Sequence, residues 1–287
     1  MIKNPSNFTN NKKSHDALKI LNEGLIHANP QIGLKKYFFR NKIKTKSSII
    51  NLKNFENVYV IAIGKAADSM MKFVSSKIAI TKGIIIMPSY YKPIFKQNKI
   101  QFFMSGHPLP NSESLKAGKY IKNFIAKTTK KDFIIFLISG GGSSLVTLPY
   151  EISLKEKIAL NRQLIQSGAS INEISCIRKH LSNIKGGKLI QKMKSSAVSF
   201  VLSDVIGDDL SSISSGITYA DKTTFSDSLK ILKKYKIEKK ISKNIISVLK
   251  NGFNKKIPET PKKPKFPHII IGNNKKSLLA MKDKARK

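Results

Sequence analysis

The chain has 287 residues, of which 53 are Lys or Arg and 17 are Asp or Glu, so its formal net charge is +36. Hydrophobic residues make up 40% and aromatic residues 8% of the chain, which is typical of a folded protein and argues against disorder. The length is sufficient for one large domain or two smaller ones and excludes a peptide module.

The positive charge raises the question of nucleic-acid binding, because dense positive charge attracts phosphate backbones. Few of the basic residues are arginine, the side chain that makes bidentate contacts to nucleic acids, and lysine is spread from end to end. We therefore expect solvated surface lysines and no nucleic-acid partner, and we expect the charge to help attract a small anionic substrate or ATP. The arginines are Arg40, Arg162, Arg178 and Arg286.

The cysteine content and the hydropathy of the sequence indicate the cellular location of the protein. Cys176 is the single cysteine, which excludes an internal disulfide and a cysteine-rich metal site. Residues 1–13 form a polar leader without an apolar region, and no stretch approaches the roughly 20 apolar residues of a membrane span. We expect a cytoplasmic protein without a membrane anchor.

The predicted elements begin with an amphipathic helix that has Ser14 as its N-cap and ends at Asn29-Pro30. A short helix ending near Arg40 follows. The next segment is a β–turn–α unit, with a buried strand at 58–63, a turn at Gly64 and a helix at 66–76. Further strands are predicted at 83–87, 100–104, 133–138 and 198–202. Further helices are predicted at 112–127, 154–180 and 223–236.

This alternation of apolar strands and amphipathic helices predicts an α/β fold with a three-layer, doubly wound, mostly parallel sheet of the Rossmann-like kind. Ligands of such sheets bind beyond the carboxyl ends of the strands, so the turns at Gly64 and Gly140 are expected to share one crevice. The first domain is expected to span 14–257. Residues 258–266 are rich in Pro and Lys and are predicted to form a linker. Residues 267–287 are predicted to begin an incomplete second α/β domain.

The most informative motif is the glycine-rich turn that follows the buried strand at 133–138. Glycine permits positive φ angles and close backbone approach, so this turn suits a phosphate or a carboxylate, with serine hydroxyls as added donors. A loop that only reverses the chain is the alternative. The candidate ligands are Ser139, Gly140, Gly141, Gly142, Ser143 and Ser144.

Two further loops place polar groups after strands. Lys65 lies at the mouth of the first β–α turn, where a lysine reaches a phosphate that helix-terminal amides support. His107 lies in a loop stiffened by Pro108 and Pro110, and a structural role is the alternative for it.

A basic constellation follows the helix predicted at 154–180. Arg178 lies near the helix end, and Lys185 with Gly186 is predicted to begin the next helix. These residues suit a carboxylate or a phosphate, and a solvated basic face is the alternative.

Three carboxylates follow the strand at 198–202, namely Asp204, Asp208 and Asp209. Hard oxygen ligands suit Mg²⁺, and one of these carboxylates is also a candidate general base. Helix capping by Asp208 or Asp209 is the alternative, because Asp is a preferred N-cap.

Together these stretches resemble the glycerate 2-kinase family over about residues 14–287. The resemblance rests on the shared order and spacing of the segments rather than on any single motif. The segments are 62–67, 106–111, 137–145, 171–174 with 177–182, 184–187, 202–209 and 214–216.

The resemblance implies phosphorylation of D-glycerate to 2-phosphoglycerate, with ATP and Mg²⁺ in a cleft between a DUF4147-type and a MOFRL-type domain. Lys65 would then neutralise phosphate charge during transfer, and the amides of 140–142 would hold an anionic group. Arg178 and Lys185 would bind the substrate carboxylate or a phosphate. Asp204 and Asp208 are the candidates for the general base, and they are joined by Asp209 as candidates for the metal.

The sequence differs from other members of the family in the second domain that they contain. Relatives continue into a domain with a glycine- and arginine-rich segment that closes the cleft, and nothing like it precedes Lys287. We therefore expect the chain alone to be weakly active or inactive, and we expect it to act as a homodimer or with a partner that supplies the missing domain.

Some members of this family carry the name hydroxypyruvate reductase, which makes that reaction the alternative activity. No G-x-G-x-x-G fingerprint follows any predicted strand, which argues against nicotinamide binding. A Walker A loop and a G-x-S-x-G elbow are also absent. A non-catalytic fragment is the other alternative.

Overall fold

The computed structural model describes residue 4 and residues 11–45 and 48–286. Most of the expected polar leader lies outside these residues. Helix α1 (Lys12–Ala28) is capped by Asn11, whose side chain accepts from the N–H of Ser14 at 2.9 Å. The prediction of Ser14 as the N-cap is therefore wrong, because Ser14 provides the N–H group that the cap satisfies.

Helix α2 (Pro30–Lys35) ends earlier than the sequence pattern predicts. The following residues form a small antiparallel sheet of β1 (Phe38–Phe39), β2 (Lys42–Lys44) and β3 (Ile49–Asn51). Its first turn uses Arg40 and Asn41, both with positive φ. Strands of two or three residues carry too little periodicity to be recognised in a sequence.

The main sheet has six strands, and every neighbouring pair is parallel. Its strands are rich in Ile and Val, and all seven residues of the central strand that begins at Asp132 are buried. The spatial order is β6-β5-β4-β7-β8-β9. The strands are β4 (Asn57–Ile63), β5 (Lys82–Pro88), β6 (Ile100–Ser105), β7 (Asp132–Ile138), β8 (Ser196–Leu202) and β9 (His268–Gly272).

The helices that follow match most predictions, with two differences. The single helix predicted at 154–180 is two helices, because Gly168 has a φ of +77° and Ser170 caps a new helix. Helices at 142–145 and 243–253 had no predicted counterpart. The helices are α3 (Ala67–Ser75), α4 (Ser112–Ala126), α5 (Gly142–Leu145), α6 (Leu154–Gln166), α7 (Ile171–His180), α8 (Phe225–Lys234), α9 (Lys243–Phe253) and α10 (Asn274–Ala285).

Helices cover both faces of the main sheet, which confirms the predicted three-layer α/β architecture. On one face Met70 and Met71 of α3 pack against β4 and β5, and on the other Ile121 and Ile125 of α4 pack on the sheet. Helices α6 to α9 form a third apolar cluster that contains no strand residue. In the part of the chain that the structure describes, no helix combines the length and apolarity needed to cross a bilayer.

The strand order places the expected crevice. Counted along the chain from β4, the spatial order is third, second, first, fourth, fifth, sixth, so the winding direction reverses between β4 and β7. Doubly wound sheets bind ligands at this switch point, outside the carboxyl ends of the strands. The turns after β4 and β7 are the ones that the sequence singles out.

The last strand and helix differ from the expected domain division. Strand β9 pairs with β8 in the main sheet, and Met281 of α10 packs against Gly24 of α1. The apolar run 269–271 fills the open hydrogen-bonding edge of β8, which explains why it does not begin a separate unit. Residues 258–266 therefore connect two parts of one layered fold.

Candidate active site

The turns after β4 and β7 are bonded to each other at the switch point. The N–H of Lys65 donates to the carbonyl of Gly140 at 2.9 Å, and the N–H of Ala66 donates to Ser139 Oγ at 3.0 Å. Gly64 has a φ of +125°, and a Cβ atom there would overlap Ser139. The predicted shared crevice is thus confirmed, and glycine is required at position 64 for the two turns to meet.

The glycine turn presents free backbone donors at this edge. Gly141, with a φ of +88°, leads into the short helix α5. Within the described residues, the N–H groups of Gly140, Gly141 and Gly142 find no acceptor. The exposed side chain of Lys65 passes beside Gly141. Free amides and a lysine form the kind of surface that binds a small anion.

A histidine lies over the same turn. The ring of His107 is 3.1 Å from the position that a Cβ atom on Gly141 would take, and its Nδ1 lies 3.3 Å from the hydroxyl of Tyr90. Burial lowers the pKa of His107, and the charge of Lys65 lowers it further. The sequence motif around this histidine identified the loop, but only the structure places the ring at the site.

The segment at 214–216 holds the glycine turn from behind. Ser214 Oγ donates to the carbonyl of Ser139 at 3.1 Å, and the hydroxyls of Ser143 and Ser215 lie 2.7 Å apart. Ser214 and Ser215 have φ angles of +52° and +56°, a strained conformation for serine. The N–H of Gly186, expected to bind substrate, instead donates to the carbonyl of Ser215 at 3.0 Å.

Lys185 is buried beneath the turn, and only 1% of it is exposed. Its Nζ donates to the carbonyls of Gly142 at 2.9 Å and Ser214 at 3.1 Å. Burial holds the pKa of Lys185 well below its usual range, and the charges of Lys157 and Arg178 lower it further. In this arrangement Lys185 stabilises the glycine turn from the protein interior. The sequence around Lys185 did not predict this role.

Arg178 lies near Lys185 and is partly accessible. Its Nε donates to Asn161 Oδ1 at 2.8 Å across the interface of α7 and α6, and burial lowers the pKa of the guanidinium. Lys157, one turn before Asn161 on α6, completes a group of three cations that the motifs alone did not indicate.

Asp204 is the carboxylate nearest to the glycine turn. A Cβ atom on Gly140 would overlap its Oδ2, so the exposed Asp204 lies directly against the turn. Both residues line a cavity of about 220 Å³ together with Lys65. Asn273 and Ser277 also line this cavity, and the sequence analysis did not connect them to the site because it assigned residues 267–287 to a second domain.

The other two carboxylates are held by local partners. Asp208 Oδ2 accepts from Nδ2 of Asn273. Partial burial acts to raise the pKa of Asp209, but hydrogen bonds from Ser212 and Ser211 outweigh it and lower the pKa. Asp209 therefore organises its own turn, but the short 3₁₀ helix Ile213–Ser215 that follows has Ser212 as its N-cap, so Asp209 does not cap it.

The three carboxylates do not converge on one point. Across residues 11–45 and 48–286, no group of three His, Cys, Asp or Glu side chains is placed to hold a metal ion. Mg²⁺ needs only one or two protein carboxylates when phosphate oxygens and waters supply the rest. Asp204, at the cavity wall beside the free amides, fits that kind of shared site.

Comparison with known proteins defines the family. The family model described as Domain of unknown function (DUF4147) matches residues 16–250, and the chain belongs to this family. The chain is 34% identical over 252 residues to a glycerate 2-kinase from Pyrococcus horikoshii, and the match covers 86% of this chain. The family resemblance seen in the sequence motifs is thereby confirmed.

Two further relatives extend the comparison. The crystal structure of a glycerate kinase from Thermotoga maritima superposes with a TM-score of 0.79 at 32% identity, over 94% of this chain and 61% of that one. A putative hydroxypyruvate reductase from Agrobacterium vitis is 36% identical over 205 residues, covering 71% of this chain and 45% of the relative. The chain covers 57% of the Pyrococcus protein, so it spans about half the length of the curated relatives it matches.

Proposed function

We propose that the chain carries the nucleotide- and acid-binding site of an ATP-dependent D-glycerate 2-kinase, which forms 2-phosphoglycerate. The observation that carries this proposal is the glycine turn at the switch point, flanked by Lys65 on one side and by Lys185 on the other. Relatives named as glycerate kinases support the choice of reaction.

The phosphate side of the site is assigned to Lys65 and the amides of 140–142. Positive charge and preorganised N–H groups at this place would stabilise the charge on a transferring phosphoryl group. ATP bound with Mg²⁺ would supply the phosphoryl group and the divalent charge. Asp204 would hold part of the metal's coordination shell from the cavity wall, and Asp208 and Asp209 remain weaker candidates because of their local partners.

The acid side is assigned to Lys185, which lies beneath the glycine turn at Gly142, and to Arg178, whose charge acts on Lys185. This division lets one turn hold both reactants, so positioning does most of the catalytic work. Asp204 is the preferred general base for the substrate hydroxyl, since Asp208 is bonded to Asn273.

Hydroxypyruvate reduction is the second candidate because of relatives with that name. The first turn after β4 reads Gly64-Lys65-Ala66-Ala67 and lacks the later glycines of a dinucleotide fingerprint. The lysine in this turn favours a phosphate-transfer site over a nicotinamide site.

Binding and turnover by residues 1–287 test the proposal together. Calorimetric titration with ATP–Mg²⁺ and with D-glycerate is expected to show one site for each, and NMR is expected to identify 2-phosphoglycerate in any product. Lys65→Ala should weaken ATP binding by about tenfold or more while leaving the fold intact. Lys99→Ala, an exposed lysine at the amino edge of the sheet, is the matched control.

A folded protein that binds neither ATP nor D-glycerate would overturn the proposal, as would NAD(P)H oxidation with hydroxypyruvate. Equal ATP binding by the wild type and Lys65→Ala would remove Lys65 from the site. Light scattering of the same sample tests the proposed homodimer. The proposed protein acts in the cytoplasm on a small-molecule substrate and has no nucleic-acid partner.

A further inference from the structure

Lys157 is a buried cation whose role the proposed function leaves open. It is 7% exposed and donates to Thr147 Oγ1, a hydroxyl that is itself fully buried. Burial lowers the pKa of Lys157 to about 7, and the charge of Arg178 contributes to this shift. Burying an ammonium group is costly, and a neutral side chain of similar size would fit an ordinary core better.

Three cations meet at this place without an acidic partner. Lys157 comes from α6, Arg178 from α7 and Lys185 from the segment after α7. Arg178 donates to Asn161, one turn from Lys157 on α6, and the charges of Lys157 and Arg178 both lower the pKa of Lys185. Among the described residues, no carboxylate forms an ion pair with any of the three. Their polar partners are neutral groups, namely Thr147, Asn161 and the carbonyls of Gly142 and Ser214.

The chain supplies a carboxylate partner to another buried cation nearby. Lys179, the residue after Arg178, is 2% exposed and forms an ion pair with Asp221 at 2.7 Å. The missing carboxylate beside Lys157 is therefore a local property of this cluster and not a consequence of the basic composition.

Arg178 provides the opening of the cluster. Arg178 is only partly buried. Of the five N–H donors of its guanidinium group, only Nε–H has a partner within the described residues. The free edge of a guanidinium group matches two oxygens of a carboxylate. Lys157 and Lys185 lie behind it, and an anion bound at Arg178 would favour the charged forms of both amines in a water-poor environment, where charge acts strongly.

We propose that Lys157, Arg178 and Lys185 form an anion subsite that binds the carboxylate of the acceptor acid, with Arg178 in contact and Lys157 as a positioning residue behind it. This inference rests on the proposed function, because it takes the acid to be the phosphoryl acceptor. The bond from Lys185 to the carbonyl of Gly142 links the subsite to the turn that would hold the phosphates.

The location of the subsite defines which acids fit. A short 2-hydroxy acid would place its carboxylate at Arg178 and its hydroxyl toward the glycine turn. An uncharged analogue such as glycerol or glyceramide lacks the group that the cations require, so the subsite selects for a carboxylate.

Calorimetric titration of the 1–287 chain with D-glycerate, glyceramide and inorganic phosphate tests the inference without turnover. Lys157→Met is expected to weaken D-glycerate binding at least about tenfold, to leave the weak binding of glyceramide unchanged, and to leave ATP–Mg²⁺ binding unchanged. Lys155→Met is the matched control, since Lys155 is an exposed lysine on the same helix. Thermal unfolding confirms that each variant is folded.

The outcomes separate the inference from the proposed function. Tight D-glycerate binding that Lys157→Met retains in full would overturn the subsite and leave the kinase proposal in place. Phosphate binding that depends on Lys157, without any D-glycerate binding by the wild type, would overturn the carboxylate assignment and the kinase proposal together. Equal losses for D-glycerate and glyceramide would show a structural role and would also overturn the subsite.

Discussion

Two neighbouring residues of α7 lead to two different kinds of buried charge. Lys179 pairs with Asp221, which is fully buried and also accepts from Thr223 and Thr260. Arg178 instead belongs to a cluster of cations whose partners among the described residues are neutral groups. The first region is complete within the chain, and the second requires an anion to become complete.

This contrast separates a structural charge from a functional one. Burial acts to raise the pKa of Asp221, but the hydrogen bond and charge of Lys179 outweigh it and hold the pKa below its usual range. In the cation cluster both burial and neighbouring charge act in the same direction, and they lower the pKa of Lys157 and of Lys185. Groups whose environment opposes their charge are typical of binding and catalytic sites.

The largest expected change in the free energy of unfolding comes from breaking the ion pair between Lys179 and Asp221. Lys179→Met leaves Asp221 buried without its cation, and removing one partner of a buried pair costs about 3–5 kcal/mol. Urea unfolding followed by circular dichroism measures the change. Lys155→Met, which removes an exposed lysine, is expected to stay within about 0.5 kcal/mol of the wild type. A small effect of Lys179→Met would mean that the two regions do not differ in kind.

The next effect has the opposite sign. Lys157→Met removes a buried cation that lacks a partner, so the ligand-free protein is expected to gain about 1–3 kcal/mol in its free energy of unfolding. The same urea unfolding experiment measures it. Destabilisation by Lys157→Met in the absence of ligand would show that its bond to Thr147 is structural and would remove the contrast with Lys179.

Sequence patterns predicted the fold and the loops of the site but not the partners of its side chains. Apolar runs such as 133–138 fix buried parallel strands, and glycine after a strand fixes the turns at the switch point. Whether Lys185 faces a ligand or two backbone carbonyls depends on the packing of the 214–216 segment, which lies far along the chain. Strand β9 was assigned to another domain because the open edge of β8 is visible only in three dimensions.

A smaller effect concerns pH and follows from the pKa of Lys157, which lies near 7 in the folded chain. Below about pH 7 Lys157 is charged in both states and its burial penalty is complete. Between about pH 7 and 10 the folded state releases the proton before the unfolded state does, so the wild type becomes more stable with rising pH. The stability advantage of Lys157→Met should therefore shrink over this range, as urea unfolding at several pH values measures.

Arg178 of α7 acts on Lys157 with a charge that lowers the pKa of Lys157 further, and Lys185, the other lysine of the cluster, has its own pKa held well below its usual range. A constant difference between the wild type and Lys157→Met from about pH 7 to 10 would mean that Lys157 keeps an ordinary pKa in the folded chain.

The smallest effect is stabilisation of the cation cluster by an added anion. Inorganic phosphate that binds only the folded state stabilises it by about 1 kcal/mol at a concentration of roughly five times Kd. Thermal unfolding in phosphate and in chloride at equal ionic strength isolates this effect from general screening. The shift should disappear in Lys157→Met but persist in Lys155→Met, because only the buried lysine belongs to the cluster. An equal shift in all three proteins would place the anion on the lysine-rich surface, and the difference between the two buried regions would then carry no binding function.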